Sequence, residues 1–263
     1  MPSYCLLADL KTYLNITAST DDALLQLMLD AATNRIDSVT QRRFQAAADS
    51  TRYFDPTVDI MLGEVWMDDD VSYITSVING DSANVTTDIY TNPRNVTPYY
   101  SIGLKTSSTA YWTYTTDYQN AIAITGRWAY MQRSDITALS RSSNVVTASV
   151  VAPELSVGMS VFVLGCADAT FNGTFTVTGN TGSAVTWAQT AANDTDTTAV
   201  MLHTPTDIVT ACRRLAAWMF RQKDNQNGDA DRPILAGDGS VIMPTTLPQD
   251  VAQLLRPYTR TIR

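Results

Sequence analysis

The sequence predicts an α+β protein: a helical core carrying a small antiparallel sheet, interrupted by an inserted all-β domain of barrel or sandwich type. Three observations predict it. Apolar residues recur at helical spacing near both ends of the chain, over 6–14, 19–43 and 204–222. Residues 50–131 instead break into short alternating runs separated by Asn-Gly, Asn-Pro and Thr-Pro. From 134 to 203 the chain turns dense in Thr, Val, Gly and Asn. The division this implies is 1–133, 134–203 and 204–263, with the outer two parts forming one core around the middle one.

Taken in order, Leu7, Leu10 and Leu14 share one side of the first short helix. The second helix starts with Ser19 or Thr20 as cap and with Asp21 and Asp22 in the first turn, where the macrodipole favours negative charge. Leu25, Met28, Ala32, Ile36 and Val39 give it one apolar stripe, and Gln41, Arg42 and Arg43 close it. Two helices joined by roughly five residues pack as a hairpin. Strand-like runs follow at 51–55, 72–80, 88–93, 99–105, 110–114 and 120–128, predicting a single small sheet against the helices. In the middle part, strands are drawn at 144–150, 160–165, 173–179, 183–188 and 198–202, with turns at Gly158, Asn172-Gly173 and 180–182. Five strands suffice for a small barrel or sandwich. The helix at 204–222 opens on Thr204 as cap and Pro205 at its first position, and carries Ile208, Cys212, Leu215, Met219 and Phe220 as its stripe. Residues 224–240 read as a polar loop, and 247–263 hold a short amphipathic segment.

Composition excludes several function classes. The 263 residues carry a formal charge of −8. Gripping duplex DNA needs Lys and Arg to displace condensed counterions, so this chain is a poor repressor or nuclease. A negatively charged wall, by contrast, lets DNA pass without sticking. Charged residues make up only 17%, a surface suited to broad protein contacts. Cys5, Cys166 and Cys212 form no CxxC pair, so neither zinc nor a redox motif is supported. No signal peptide is evident at the N-terminus, and no apolar run approaches the ~18 residues that cross a bilayer. The chain is therefore expected in a reducing cytoplasm, with triplets such as Asn15-Ile16-Thr17 not glycosylated.

No constellation of catalytic residues stands out, and no enzyme, metal or cofactor is expected. His203 is the only histidine and reads as a polar residue at a domain junction, since a nucleophilic site needs a placed carboxylate and nucleophile. Asp68-Asp69-Asp70 and the group Asp224, Asn227, Asp229 and Asp231 read as solvated turns, lacking the central Gly and final Glu of a calcium loop. The Gly-containing run 237–240 follows no strand and lacks the phosphate-loop lysine. Tyr111, Trp112, Tyr114 and Tyr118 read as half core and half subunit interface. Trp187, Phe171 and Phe175 read as core of the insert, with a carbohydrate site as the alternative.

The ordered set LADLKTYLNIT (7–17), DDALLQLMLDAA (21–32), RRF…TRYFD (42–55), SYITSVINGD (72–81), DIYTNPRNVTPYY (88–100), AIAITGRWAY (121–130), PTDIVTACRRLAAWMFRQ (205–222) and LPQDVAQLLRPYTR (247–260) resembles the head-tail adaptor proteins of tailed bacteriophages. The departure is the insert: in the family the Ile-Thr-Gly strand leads almost directly into the later helix, whereas here 134–203 intervene. Within the insert, LSVGMSVFVLGCADATFNGTFTV (155–177) resembles a β module that recurs in phage virion proteins. The resemblance implies a structural virion protein of the neck, made in the host cytoplasm. It implies a ring of twelve copies beneath the portal, prolonging the DNA channel without specific DNA binding and presenting a platform to a stopper or tail-completion protein. It also implies that the C-terminal segment docks on the portal through Leu247, Val251, Leu254, Leu255, Arg256, Tyr258, Arg260 and Arg263. A stopper protein, or a virion protein whose insert grips a host glycan, are the alternatives.

Overall fold

A computed structural model describes residues 3–150, 155–197, 199–222, 234–235, 241–242 and 247–260. Its N-terminal helices form the expected hairpin. Helix α1 (Leu7–Leu14) ends where Asn15 turns left-handed at φ 57°, a conformation its short polar side chain tolerates, and the Asn15 N–H caps the Lys11 and Thr12 carbonyls. Lys11 Nζ lies 2.6 Å from Asp22 Oδ1, tying α1 to the first turn of α2 (Asp22–Thr40). The Ser19 or Thr20 cap is not made: Asp21 is the cap residue, without a side-chain hydrogen bond. Leu25, Leu29, Ala32 and Ile36 are fully buried, while Met28 and Val39 flank the stripe half-buried. The helix stops at Thr40 because Gln41 is left-handed (φ 55°). Arg42 and Arg43, expected inside the helix, lie beyond it, and Arg42 is thereby turned toward the sheets.

The single sheet expected for 50–131 is two. Strands β1 (Ser50–Phe54), β2 (Ile60–Met61), β3 (Glu64–Val71), β4 (Tyr73–Ile78), β5 (Ile89–Asn92), β6 (Tyr99–Leu104) and β7 (Ile122–Arg127) divide into β1-β7-β4 and β2-β3-β6-β5, all antiparallel. Between them lies a second core of Phe54, Val65, Val77, Ile102, Ile122, Ile124 and Trp128. Gly126 allows β7 to sit against β4, since a Cβ there would fall 2.2 Å from the Tyr73 carbonyl oxygen. Residues 110–114 form no strand; they meet the sheets through a Gly80–Tyr114 bridge, the Trp112 Nε1 bond to the Gly63 carbonyl and the Asn79 Nδ2 bond to the Tyr111 carbonyl.

Residues 132–203 supply β8 (Gln132–Ser142), β9 (Val145–Val150), β10 (Ser160–Leu164), β11 (Gly173–Asn180), β12 (Ala184–Ala188), β13 (Asp194–Asp196) and β14 (Ala199–His203). The order β8-β14-β10-β11-β12-β9 closes by the β9–β8 ladder into a six-stranded barrel, with β13 beside the far half of β8. Of these strands, β8 and β13 were not expected. Ser143 and Asn144, both with positive φ, make the tight turn from β8 to β9. Val146, Ala148, Val161, Val163, Val177, Val185, Trp187 and Met201 fill the barrel, as alternation along each strand requires. Arg141 plugs one end, donating to Ala192 O, Thr170, Gln189 and Asp168 and lying 4.3 Å over the Phe171 ring.

The barrel is fixed to the rest through its outer surface. Phe162 and Leu202 point outward onto Ala129 and Met131. Arg127 sits 3.9 Å over the Phe162 ring, reaches Thr174 at 3.2 Å, and pairs with Asp49 at 2.5 Å. Helix α3 (Thr206–Gln222) then returns to the helical layer, starting one residue later than read, with the Pro205 carbonyl accepting from Ile208 and Val209. It buries Ile208, Val209, Ala211, Cys212, Leu215, Ala216, Ala217 and Phe220, a wider face than one stripe, because it packs against α1, α2 and the C-terminal helix α4 (Gln249–Leu255). Fold and expectation agree on mixed α and β with a barrel, although the helical layer is small.

Two outcomes follow. Trp187→Ala, emptying the barrel centre, costs about 3–5 kcal/mol in denaturant unfolding. His203 is buried, with Nδ1 at 3.0 Å from the Thr204 carbonyl and Nε2 at 3.0 Å from Ser134 Oγ, and burial lowers its pKa below the ordinary 6.5. The unfolded chain therefore binds the proton first as pH falls. Stability is lost on acidification from pH 6.5 down through the lowered folded value, and His203→Gln removes that component of a pH-resolved melting series.

Candidate docking face

All but one of the residues singled out for docking lie on the last described stretch, 247–260, and its local chemistry explains how they are held. A seven-residue helix has too few turns to be stable alone. Val251 and Leu255, four apart and therefore on one face, are buried at 0% and 1% exposure against this chain's own helical layer. The groove that covers these two residues is this chain's own. Each such burial contributes roughly 1.5–3 kcal/mol. Leu247, Leu254 and Tyr258 pack half-buried on the same core, while Arg256 is exposed. Arg263 lies outside the described residues, as do Asp224, Asn227, Asp229, Asp231 and 237–240.

Past α4 the chain makes one 3₁₀ turn and is clasped. Tyr258 joins Phe44 and Tyr130 in an aromatic trio with centroids 5.5–5.8 Å apart, and donates to Asp207 Oδ2 at 3.1 Å. Burial and the Asp207 carboxylate both push its phenol above the ordinary range. The Arg260 N–H donates to the Thr40 carbonyl at 2.8 Å, and Nη1 donates to the Asp68 carbonyl at 2.6 Å and lies 3.6 Å from Asp69 Oδ1.

Asp68-Asp69-Asp70 therefore does not form a solvated turn. It is the end of β3, and three arginines distant in sequence converge on it. Arg42 Nη1 meets Asp70 Oδ1 at 2.6 Å, with the Asp70 side chain fully buried and Arg42 only 10% exposed. Arg52 reaches Asp68 at 3.0 Å and Asp69 at 2.8 Å. Arg42 also lies 5.0 Å over the Tyr130 ring, and Arg52 4.5 Å over Trp128. Burial raises the Asp70 pKa despite Arg42, since Oδ2 makes no hydrogen bond among the described residues.

The remaining sequence candidates divide. Trp187 and Phe171 are fully enclosed, so neither ring is available to stack on a sugar. Phe175 stacks on Trp187 at 5.2 Å. Cys5 and Cys212 are buried neighbours whose thiols burial pushes up to about 12 and about 11, and Cys166 reaches about 11. These are inert packing groups. Ser134 beside His203 was not foreseen; the histidine Nδ1–H faces a backbone carbonyl with no carboxylate, so the pair serves as a hydrogen bond across the β8–β14 ladder. Among the described residues no three His, Cys, Asp or Glu gather as a metal site, and no helix is long and apolar enough to cross a membrane.

The helix hairpin, the first strands and the acidic end of β3 all fall within one stretch of known sequence. Residues 4–95 match the family model described as phage gp6-like head-tail connector protein. The match supports the head-tail connector family and, with it, a structural connector role. It ends before β6, so β7, the barrel, α3 and the tail stand outside it. No curated protein matches the chain. Within the connector segment Arg42, Arg52 and Asp68–Asp70 are all included, and Arg260 is the one clasp arginine that reaches in from outside it.

Removing one partner of the buried pair leaves an uncompensated charge. Asp70→Leu destabilises by about 3–5 kcal/mol, whereas Asp70→Leu with Arg42→Met loses far less, so a double-mutant cycle gives strong coupling. The exposed Arg214–Asp250 pair at 2.9 Å, with side chains 43% and 50% exposed, is the control at under about 1 kcal/mol.

Proposed function

We propose that this connector is the adaptor ring of a tailed phage, built of twelve copies beneath the portal, extending the DNA channel and offering a platform to a stopper or tail-completion protein. The observation that carries the reading is the connector match over 4–95, which covers the helix hairpin and the acidic end of β3 on which Arg260 of the tail is held. The reading places the protein in the virion neck. The chain's −8 charge suits a wall past which DNA slides without being held. In this arrangement the helix hairpin and α3 lie near the channel. The barrel of 132–203 projects outward, because an extra domain from every copy would obstruct the lumen.

The tail is the portal contact in this reading, through its outward residues. Val251 and Leu255 act as internal anchors that present Leu254, Arg256 and the 3₁₀ turn at a set position. Weak contacts of that kind become a tight joint when repeated around a ring.

Co-sedimentation with the portal of the same phage tests the reading. Truncation after Thr246 empties the groove under α4 and weakens the fold, so loss of binding there is not decisive alone. Arg256→Glu, at an exposed position, leaves thermal unfolding unchanged and weakens portal binding at least tenfold. Full-strength binding by this variant moves the contact off the tail. A wild-type chain that ignores the portal overturns the adaptor reading.

A further inference from the structure

Two strand edges of the sheet pair lack a partner strand, and the ladders show which backbone groups they expose. In the first sheet β4 is covered on its outer side: the Val85 N–H donates to the Val77 carbonyl at 3.0 Å and the Asn79 N–H to the Ala83 carbonyl at 2.8 Å. Val77 therefore turns its backbone groups away from β7, and Ile124 opposite it turns its own away from β4 and toward β1. By alternation Ile122, Ile124 and Gly126 bond to Phe54, Arg52 and Ser50, which leaves the N–H and C=O of Thr51 and Tyr53 pointing outward. In the second sheet the Lys105 N–H donates to the Asp88 carbonyl at 2.7 Å, so Tyr90 and Asn92 bond to β6 and the groups of Ile89 and Thr91 point outward from β5. Among the described residues, no backbone group meets these four on their outer side.

An open edge is a template for pairing with another chain, and proteins usually blunt it with a Lys, a Pro or a bulge. Neither β1 nor β5 contains Lys or Pro, and both ladders run without a register shift, unlike β3–β6 and β4–β7. Both are built of good strand formers, Thr, Tyr and Phe in β1 and Ile, Tyr and Thr in β5. Tyr53 holds its ring 59% exposed beside the open edge. The two edges lie on opposite sides of the sheet pair. Strand β1 lies over the β2–β3 half, since Arg52 reaches Asp68 and Asp69 and the Asp55 N–H donates to Asp59. Strand β4 lies over the other half, where the chain from Asn79 to Asp88 bonds along β4 and leads into β5.

We infer that the open edge of β1 in one copy of this chain pairs with the open edge of β5 in the next, so that sheet continues from subunit to subunit. The inference rests on the ring reading and deepens it by naming the joint between neighbours. The backbone supplies the complementarity: outward N–H and C=O groups on Thr51 and Tyr53 meet the same groups on Ile89 and Thr91. A second copy is the occupant because one kind of contact then covers both edges, whereas a different partner on either edge leaves the other bare. Two different surfaces on opposite sides meet head to tail and close into a ring, while a self-complementary edge stops at a dimer.

Sedimentation velocity on the full chain over a concentration series tests it. Proline is tolerated where a strand's N–H faces outward, so Tyr53→Pro and Thr91→Pro each remove one outward donor and spare the ladder behind it. Each keeps the wild-type thermal unfolding and needs at least about tenfold more protein to assemble. Tyr53→Lys, a charge at an exposed edge position, gives the same loss without touching the backbone. Mixed, Tyr53→Pro and Thr91→Pro form a heterodimer and stop there, because each retains the edge that the other lacks. Assembly at wild-type concentrations by any folded variant, or a mixture that stays monomeric, overturns the inference. So does a wild-type chain that never self-associates. Portal co-sedimentation keeps the two readings apart: a wild-type chain that assembles through these edges yet ignores the portal overturns the adaptor reading and leaves the joint standing.

Discussion

The ion pair between Arg42 and Asp70 is the constraint around which the connector segment is arranged. Both groups are withdrawn from water, and their desolvation is offset only if each finds the other. That requirement fixes where α2 must end. A helix continuing through Arg43 would carry Arg42 around with its turns, so Gln41 takes a left-handed conformation and hands the guanidinium to β3. Arg52 on β1 and Arg260 on the tail approach the same three carboxylates from other sides. Helical layer, sheets and C-terminus therefore share one electrostatic centre, with Phe44, Tyr130 and Tyr258 forming an apolar wall beside it.

Most of the architecture was legible in the sequence, for reasons that also explain the gaps. Helical periodicity identified α1, α2 and α3 because each buries one face and exposes the other. Strict alternation located five barrel strands within a residue or two, since Val146, Ala148 and Val150 point inward between exposed neighbours. Strand β3 escaped because EVWMDDDV ends in three residues that normally shun strands. Their stability there comes from Arg42, Arg52 and Arg260, and no local pattern shows that these converge. Strand β8 escaped because its eleven residues serve three partners along their length and bury few side chains.

The tail shows a different limit. Its amphipathic spacing puts Val251 and Leu255 on one apolar face, and that face is buried within this chain. Amphipathicity says that a face is buried but not by whom. The cover comes from α2 and α3, which lie nearby only once the barrel's two ends have brought 204–222 back to the hairpin.

That return depends on how the barrel is joined. Gln132, the first residue of β8, is the ladder partner of His203, the last of β14. Chain entry and exit are therefore adjacent, at the roughly 5 Å separation of an antiparallel pair. From the viewpoint of the flanking segments, the intervening residues amount to a tight loop whatever their number. The junction works as a splice point. Modules of other sizes fit there without moving a strand or helix on either side, so what the barrel presents can vary while the flanking core stays constant.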